Sequence, residues 1–355
     1  MQRLPDSQEL LFGSREFRPR LRLKIPDSQE LQFTAGAGKW LAPPEMCYNA
    51  LITAGMYYWN SAEMQEEKMY HSDSADVIRP VPQQRIIEKM NEYMSRRDYS
   101  GAQRHLLYWL EEARLGRDLR GELMLRNELV GHYRKTAQKE PAMESAERAV
   151  ELLALLDMED TISAGTTYVN IATAYNAFGE YDRSMEMFRK ARAAYEGSTN
   201  TEPQLLGGLY NNMALTCTAL KRYEEALELY EKALLVMAEV LDGELEQAIT
   251  YLNMANTVEA KQGMEGGEVR ISELAERAEE LLEAKSAELL GSGDALLVTF
   301  SNGGAVLSDL SREMRSRLGY FAFVCEKCAP TFSYYGYFLA AERLKDRSDR
   351  LAGML

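Results

Sequence analysis

Residues 163–195 read SAGTTYVNIATAYNAFGEYDRSMEMFRKARAAY and hold two amphipathic helical patterns separated by one glycine. Tyr168 and Ile171 begin an apolar series with the spacing of one helix face, and a second series containing Phe188 follows the break. Gly179 stands between the two series, at the kind of position where a glycine ends a helix. The stretch therefore predicts two antiparallel helices joined by a tight turn.

The same arrangement returns in residues 207–237, which read GGLYNNMALTCTALKRYEEALELYEKALLVM. Small residues recur at matching places, Ala172 and Ala191 in the first pair and Ala214 and Ala233 in the second. Small side chains at facing positions let two helices approach to ~8–10 Å. The chain thus repeats one helix pair.

These two pairs resemble the tetratricopeptide repeat, which places an aromatic and small residues on its first helix and Ala-x3-Phe-x2-Ala on its second. Weaker copies extend upstream to residue 86 and downstream to a sixth, degenerate pair at Leu296–Ala329. The resemblance implies an all-α, right-handed α-solenoid of about five to six helix pairs, with a C-terminal capping helix and a small N-terminal appendage.

Asparagine-bearing pentamers mark the first helices: YVNIA at Tyr168, YNNMA at Tyr210, YLNMA at Tyr251 and FSNGG at Phe300. They start 42, 41 and 49 residues apart, against the usual 34 of this repeat. This longer form resembles the repeats of kinesin light chains, from which we take the architecture but not the motor function.

The chain divides by composition into three predicted parts. Seven of the ten prolines precede residue 83, which predicts an appendage at residues 1–82 that combines a hairpin with a helix and is partly disordered. Residues 83–330 form the predicted solenoid. Residues 331–355 form the predicted capping helix, whose polar outer face would close the stack.

Asparagine is a poor helix former, so its recurrence at one place in successive helices calls for a reason. In such a solenoid the first helices line a concave groove, and an amide there can pair with a peptide bond through both donor and acceptor. We predict a ladder of amides that binds a peptide or an extended protein segment. The alternative is that the amides tie neighbouring helices together.

The predicted groove contains the ladder asparagines, their polar neighbours and the two arginines of its otherwise nearly uncharged lining. These candidates are Asn127, Asn170, Asn212, Asn253, Asn302, Thr173, Asn176, Asn211, Asn256, Arg126 and Arg134. With so few basic residues, the groove favours a peptide recognised through its backbone, or a partly basic peptide, over an acidic one.

Cys325 and Cys328 form a C-x-x-C pair, a motif that suggests zinc binding or thiol redox chemistry. A structural zinc site needs four ligands, and the three histidines of the chain lie far away in sequence. The segment CEKCA aligns with YEKAL at Tyr230, which places both sulfurs on the buried face of a helix. We therefore expect core packing and neither a metal nor a cofactor, and keep a thiol redox sensor or enzyme as a rival function.

Composition excludes other classes of function. A net charge of -14 would repel a nucleic-acid backbone, and no run approaches eighteen apolar residues, so we expect neither nucleic acid nor membrane as a direct partner. The N-terminus shows no secretory pattern, which predicts a cytoplasmic protein. No catalytic constellation stands out. We expect a non-enzymatic scaffold and leave a homodimer open.

A narrower alternative is a bacterial regulator of the peptide-pheromone receptor type, which uses groove asparagines on similar repeats. Such proteins usually add an N-terminal helix-turn-helix or three-helix bundle, and residues 1–82 show neither pattern.

Overall fold

The computed structural model describes residues 78–291, 294, 296–297 and 310–354, and the regular elements within these ranges are all helices. The predicted N-terminal hairpin and helix, together with Asn302, lie outside the described residues. The bounds of the described helices are α1 Gln83–Ser95, α2 Tyr99–Leu115, α3 Leu119–Lys135, α4 Lys139–Leu155, α5 Ile162–Ala177, α6 Tyr181–Glu196, α7 Pro203–Ala219, α8 Tyr223–Met237, α9 Gly243–Leu290, α10 Arg312–Tyr334 and α11 Phe338–Ala352.

Consecutive helices pack in pairs, as the prediction of an all-α tetratricopeptide-type solenoid requires. Each pair buries the aromatic and small residues of the repeat. In the α5–α6 pair these are Tyr168, Ala172, Phe188 and Ala191, all nearly inaccessible to water. The fold class predicted from the sequence is confirmed.

The turn after most helices closes in the same way. One residue just beyond the helix end takes a left-handed conformation, as Arg117 (φ 56°) and Ala137 (φ 56°) do. The next amide reaches back five residues to a helix carbonyl, as Asp118 N does to Ala113 O at 2.9 Å. This is the Schellman termination, which satisfies carbonyls that a helix end leaves without partners.

The α9 helix is broken in the glycine-rich segment GMEGGE, residues 263–268, but only at its first residue. Only Gly263 (φ 75°, ψ 169°) leaves helical geometry, and residues 264–267 already belong to the second arm. Gly267 is helical, and its position suits a glycine because a Cβ there would lie 2.9 Å from Cγ1 of Val258 on the first arm. The glycines therefore permit a one-residue corner and close packing behind it.

The last helix pair also differs from the prediction. α10 runs through Pro330 to Tyr334, so this proline neither starts nor stops a helix. α10 and α11 pack against each other as the sixth pair, which is shifted from Leu296–Ala329 towards the C-terminus. The stretch predicted as a separate cap is thus the end of α10, a turn, and the second helix of that pair.

Candidate functional site

The first helices of successive pairs are α3, α5, α7 and the first arm of α9, and polar side chains link each to the next. Between α3 and α5, the amide nitrogen of Asn170 donates to Oδ1 of Asn127 at 2.9 Å and to its backbone carbonyl at 2.8 Å. Between α5 and α7, Asn176 donates to the Thr216 hydroxyl at 2.5 Å. Both contacts join different repeats.

The α7–α9 contact carries a denser set of polar links. Asn253 donates to Oδ1 of Asn211 at 3.2 Å, and Asn211 donates to the Thr250 hydroxyl at 3.1 Å. Thr218 and Thr257 share a further hydrogen bond of 2.8 Å. The link between helices uses Asn211, whereas its neighbour Asn212 donates to the carbonyl of Gly208 in its own helix.

Most of the predicted ladder lies inside the protein. Asn170 is 7% exposed, Asn212 3% and Asn253 0%, and the Thr173 hydroxyl bonds carbonyls of its own helix. A buried amide left without partners costs about 1–3 kcal/mol, so these hydrogen bonds stabilise the fold whether or not a peptide binds. This geometry matches the alternative to peptide binding, in which the amides tie neighbouring helices together. A contact of these amides with a peptide stays a prediction.

Tyrosines replace asparagines at the next interface. From α10, Tyr320 donates to the carboxylate of Glu246, and just beyond the helix end Tyr335 donates to Oδ1 of Asn256 at 2.7 Å. Asn256, a predicted groove residue, is therefore half-buried against the last helix pair. The phenolic links were missed by a search for repeated asparagines, although the tyrosines near the end of α10 were visible in the sequence.

The two predicted groove arginines have different surroundings. Arg126 is buried between α3 and α4, where it lies 3.5 Å from Glu144 and 3.4 Å from the Ser145 hydroxyl. Burial is the largest influence on its guanidinium and lowers its pKa. Arg134 is half-exposed on another side of α3. The structure does not bring the two together.

One side of α3 remains partly exposed to solvent, whereas the middle residues of α5 are buried on all sides. Its half-exposed positions, here called the α3 stripe, are Asn127, Glu128, Gly131 and Arg134. The other faces of α3 pack on α2, α4 and α5. Of the predicted groove residues, Asn127 and Arg134 thus share an accessible surface. Glu128 is a member that the sequence prediction missed.

The cysteine pair is buried as predicted. Cys325 and Cys328 are both 0% exposed in the core shared by α9, α10 and α11. Burial raises the pKa of the Cys325 thiol to about 12, opposite to the shift that would favour a reactive thiolate. Over the described part of the chain, no three His, Cys, Asp or Glu side chains are arranged to hold a metal ion.

Family comparison identifies the repeat. Models of the tetratricopeptide repeat match residues 165–197, which cover α5 and α6, and residues 205–264, which cover α7, α8 and the first arm of α9. The chain therefore contains tetratricopeptide repeats in these two stretches. Such repeats form protein–protein interaction scaffolds and are typically non-enzymatic.

Two solved structures also match parts of the chain. One is a Podosopora anserina protein named as a kinesin light chain, with nearly identical TPR-like repeats; it is 19% identical, with a TM-score of 0.38 over 65% of this chain and 95% of that chain. Another is BtubC (BKLC) from P. vanneervenii, 18% identical, with a TM-score of 0.39 over 77% of this chain and 92% of that chain. No curated protein matches the sequence.

A helix that crosses a membrane is both long and apolar. None of the helices in the described ranges is both long enough and apolar enough to cross a bilayer.

Proposed function

We propose that this protein is a non-enzymatic cytoplasmic scaffold that holds an extended segment of a partner protein along its first helices. The supporting observation is the α3 stripe, an open polar surface, because α5, α7 and the first arm of α9 are largely closed. Asn127 and Arg134 lie there with donors and acceptors suited to a peptide backbone. Asn176 and Asn256, also half-exposed, would extend the contact along the solenoid.

The buried asparagines have a supporting part in this proposal. Asn170, Asn211 and Asn253 hold adjacent first helices in register and so fix the surface that the segment meets. A preformed surface loses less conformational entropy on binding, which raises affinity. A few amide bonds cannot supply micromolar affinity, which needs about 8 kcal/mol, so apolar contacts must contribute.

A phage-displayed library of random dodecapeptides tests this function. The native protein should enrich peptides, and Gly131→Leu, which adds a bulky side chain at the centre of the α3 stripe, should abolish that enrichment. Gly266→Leu is the matched control because Gly266 is an exposed helical glycine on α9. Unchanged enrichment with Gly131→Leu, or none with native protein, would overturn the proposal.

A further inference from the structure

Glu128 is an unusual carboxylate for its position. It is half-buried on α3, yet among the described residues it accepts no hydrogen bond and forms no ion pair. Glu122 on the same helix shows how this chain treats a structural carboxylate: Arg148 lies 3.0 Å from it and Arg114 3.7 Å. Buried charges in proteins are normally paired in this way. The Glu128 carboxylate is instead left available to a partner from outside.

His132 provides a second observation at the same place. It follows Glu128 by one helical turn, a spacing that puts Cβ atoms on one side of the helix about 5–6 Å apart. The ring is 4% exposed, and within the described ranges neither of its nitrogens has a hydrogen-bond partner. Two neighbouring polar side chains on one side of α3 thus have unused hydrogen-bonding capacity.

Apolar residues lie beside this pair along α3. Ile87 and Met94 of α1 pack, partly buried, against the cluster that contains Leu125 and Leu129 of α3. Burial raises the pKa of Glu128 to about 7. Burial and the charge of Lys135 lower the pKa of His132.

Lys135, a basic residue near the end of this helix, is already engaged. The Lys135 ammonium lies 5.5 Å from the ring centroid of Tyr99, where a cation–π contact holds it. Arg134 lies further along the stripe, and an external cation at Glu128 would meet a carboxylate flanked by apolar residues of α3. That combination fits a long basic side chain, whose methylene stem packs on apolar surface while its charged end pairs with the carboxylate.

We propose that the α3 stripe binds a lysine or arginine side chain of the partner segment, with the Glu128 carboxylate as its counter-ion. This inference rests on the proposed function, because it names the chemistry of the segment that the first helices hold. The α3 stripe would then prefer basic segments to acidic ones, because an acidic segment would be repelled by the charge of Glu128.

The peptide library distinguishes the two proposals. Peptides selected by native protein should carry lysine or arginine at one fixed position, and Glu128→Gln should remove that preference. Glu140→Gln is the control, because Glu140 is exposed on α4. For a selected peptide, replacing its basic residue by norleucine should weaken binding about tenfold or more to native protein and little to Glu128→Gln.

The outcomes distinguish failure of the counter-ion assignment from failure of the scaffold function. Peptides without a basic preference, or an equal preference in Glu128→Gln, would overturn the counter-ion assignment and leave the scaffold function standing. A native protein that selects no peptide would overturn both proposals.

Discussion

The side-chain amide of Asn253 on α9 donates to the side-chain oxygen of Asn211 on α7, 3.2 Å away and shielded from water. The two residues belong to successive repeats and lie 42 positions apart in the chain. Their bond is one of several that join first helix to first helix. Directional bonds of this kind specify one register at an interface that apolar contacts alone would define less sharply.

Asn211→Ala should destabilise the solenoid by about 1–3 kcal/mol, because it leaves the buried Asn253 amide and Thr250 hydroxyl without Asn211. Urea unfolding followed by circular dichroism measures the effect. Asn200→Ala, at an exposed turn, should change the midpoint little. Equal midpoints for the two variants would show that the amide link contributes no stability.

Glu128→Gln should be more stable than the native protein at pH 8, by ~2 kcal/mol, and nearly equal to it below pH 4.5. Folding raises the pKa of Glu128 from 4.5 to about 7, so its favourable contribution is present below the lower value and is lost as pH rises through the higher one. Urea unfolding at several pH values measures the difference. A gain that does not change with pH, or one shared by Glu140→Gln, would contradict the assignment.

Arg317→Met should loosen the attachment of α10 to α9. Its guanidinium donates to both oxygens of Asp242 at 2.6 and 2.7 Å and to Glu288 at 2.6 Å. Lys285 remains beside Asp242, so we expect a loss of about 1–2 kcal/mol. Hydrogen exchange of α10 measures this loss against Arg315→Met, an exposed control on the same helix.

The pH dependence of that loss has a definite sign. The hydrogen bond from Arg317 is the largest influence that lowers the pKa of Asp242. The stabilisation is therefore present above the ordinary aspartate pKa and disappears as pH falls through the lowered one. Equal exchange in Arg317→Met and Arg315→Met at neutral pH would refute the role of this contact.

Ala137→Gly should stabilise the α3–α4 turn by about 0.5–1 kcal/mol. Ala137 has φ 56°, a conformation that costs a residue with a Cβ and costs glycine little. Ala193→Gly, at an exposed position inside α6, should instead destabilise by about 1 kcal/mol. Thermal unfolding of both variants measures the opposite signs, and two losses would argue against strain at Ala137.

The thiols of Cys325 and Cys328 should resist iodoacetamide at pH 8 in native protein and react in urea. Both are buried, and the pKa of Cys325 is raised to about 12. Peptide-level mass spectrometry reports each site separately. Rapid labelling of the folded protein, increasing with pH, would instead favour the thiol redox function.

The helix pairs were predictable because the aromatic and small residues that define them, such as Tyr168 and Ala191, are the residues that pack. The turns were harder to predict. Their left-handed positions are held by Arg117, Ala137 and Lys221 as well as by glycines, although a Cβ is disfavoured there, so the local preference does not locate them.

The site was predictable only in part. The sequence located the asparagines at the interface of the first helices, but a single helix pattern does not tell whether an amide meets the next helix or an outside peptide. Glu128 was missed because an isolated glutamate on a helix looks like an ordinary surface residue. Its distinguishing feature, the lack of a partner, exists only in three dimensions.

The amide links also determine how this chain can be shortened, extended or recombined. Asn127 meets Asn170 after 43 residues and Asn211 meets Asn253 after 42, so each intervening segment has a fixed length. One residue inserted inside a helix rotates everything beyond it by about 100° and would carry the amide away from its partner. Chimaeras that exchange whole helix pairs at the turns keep both members of each link, whereas a junction inside a helix separates them.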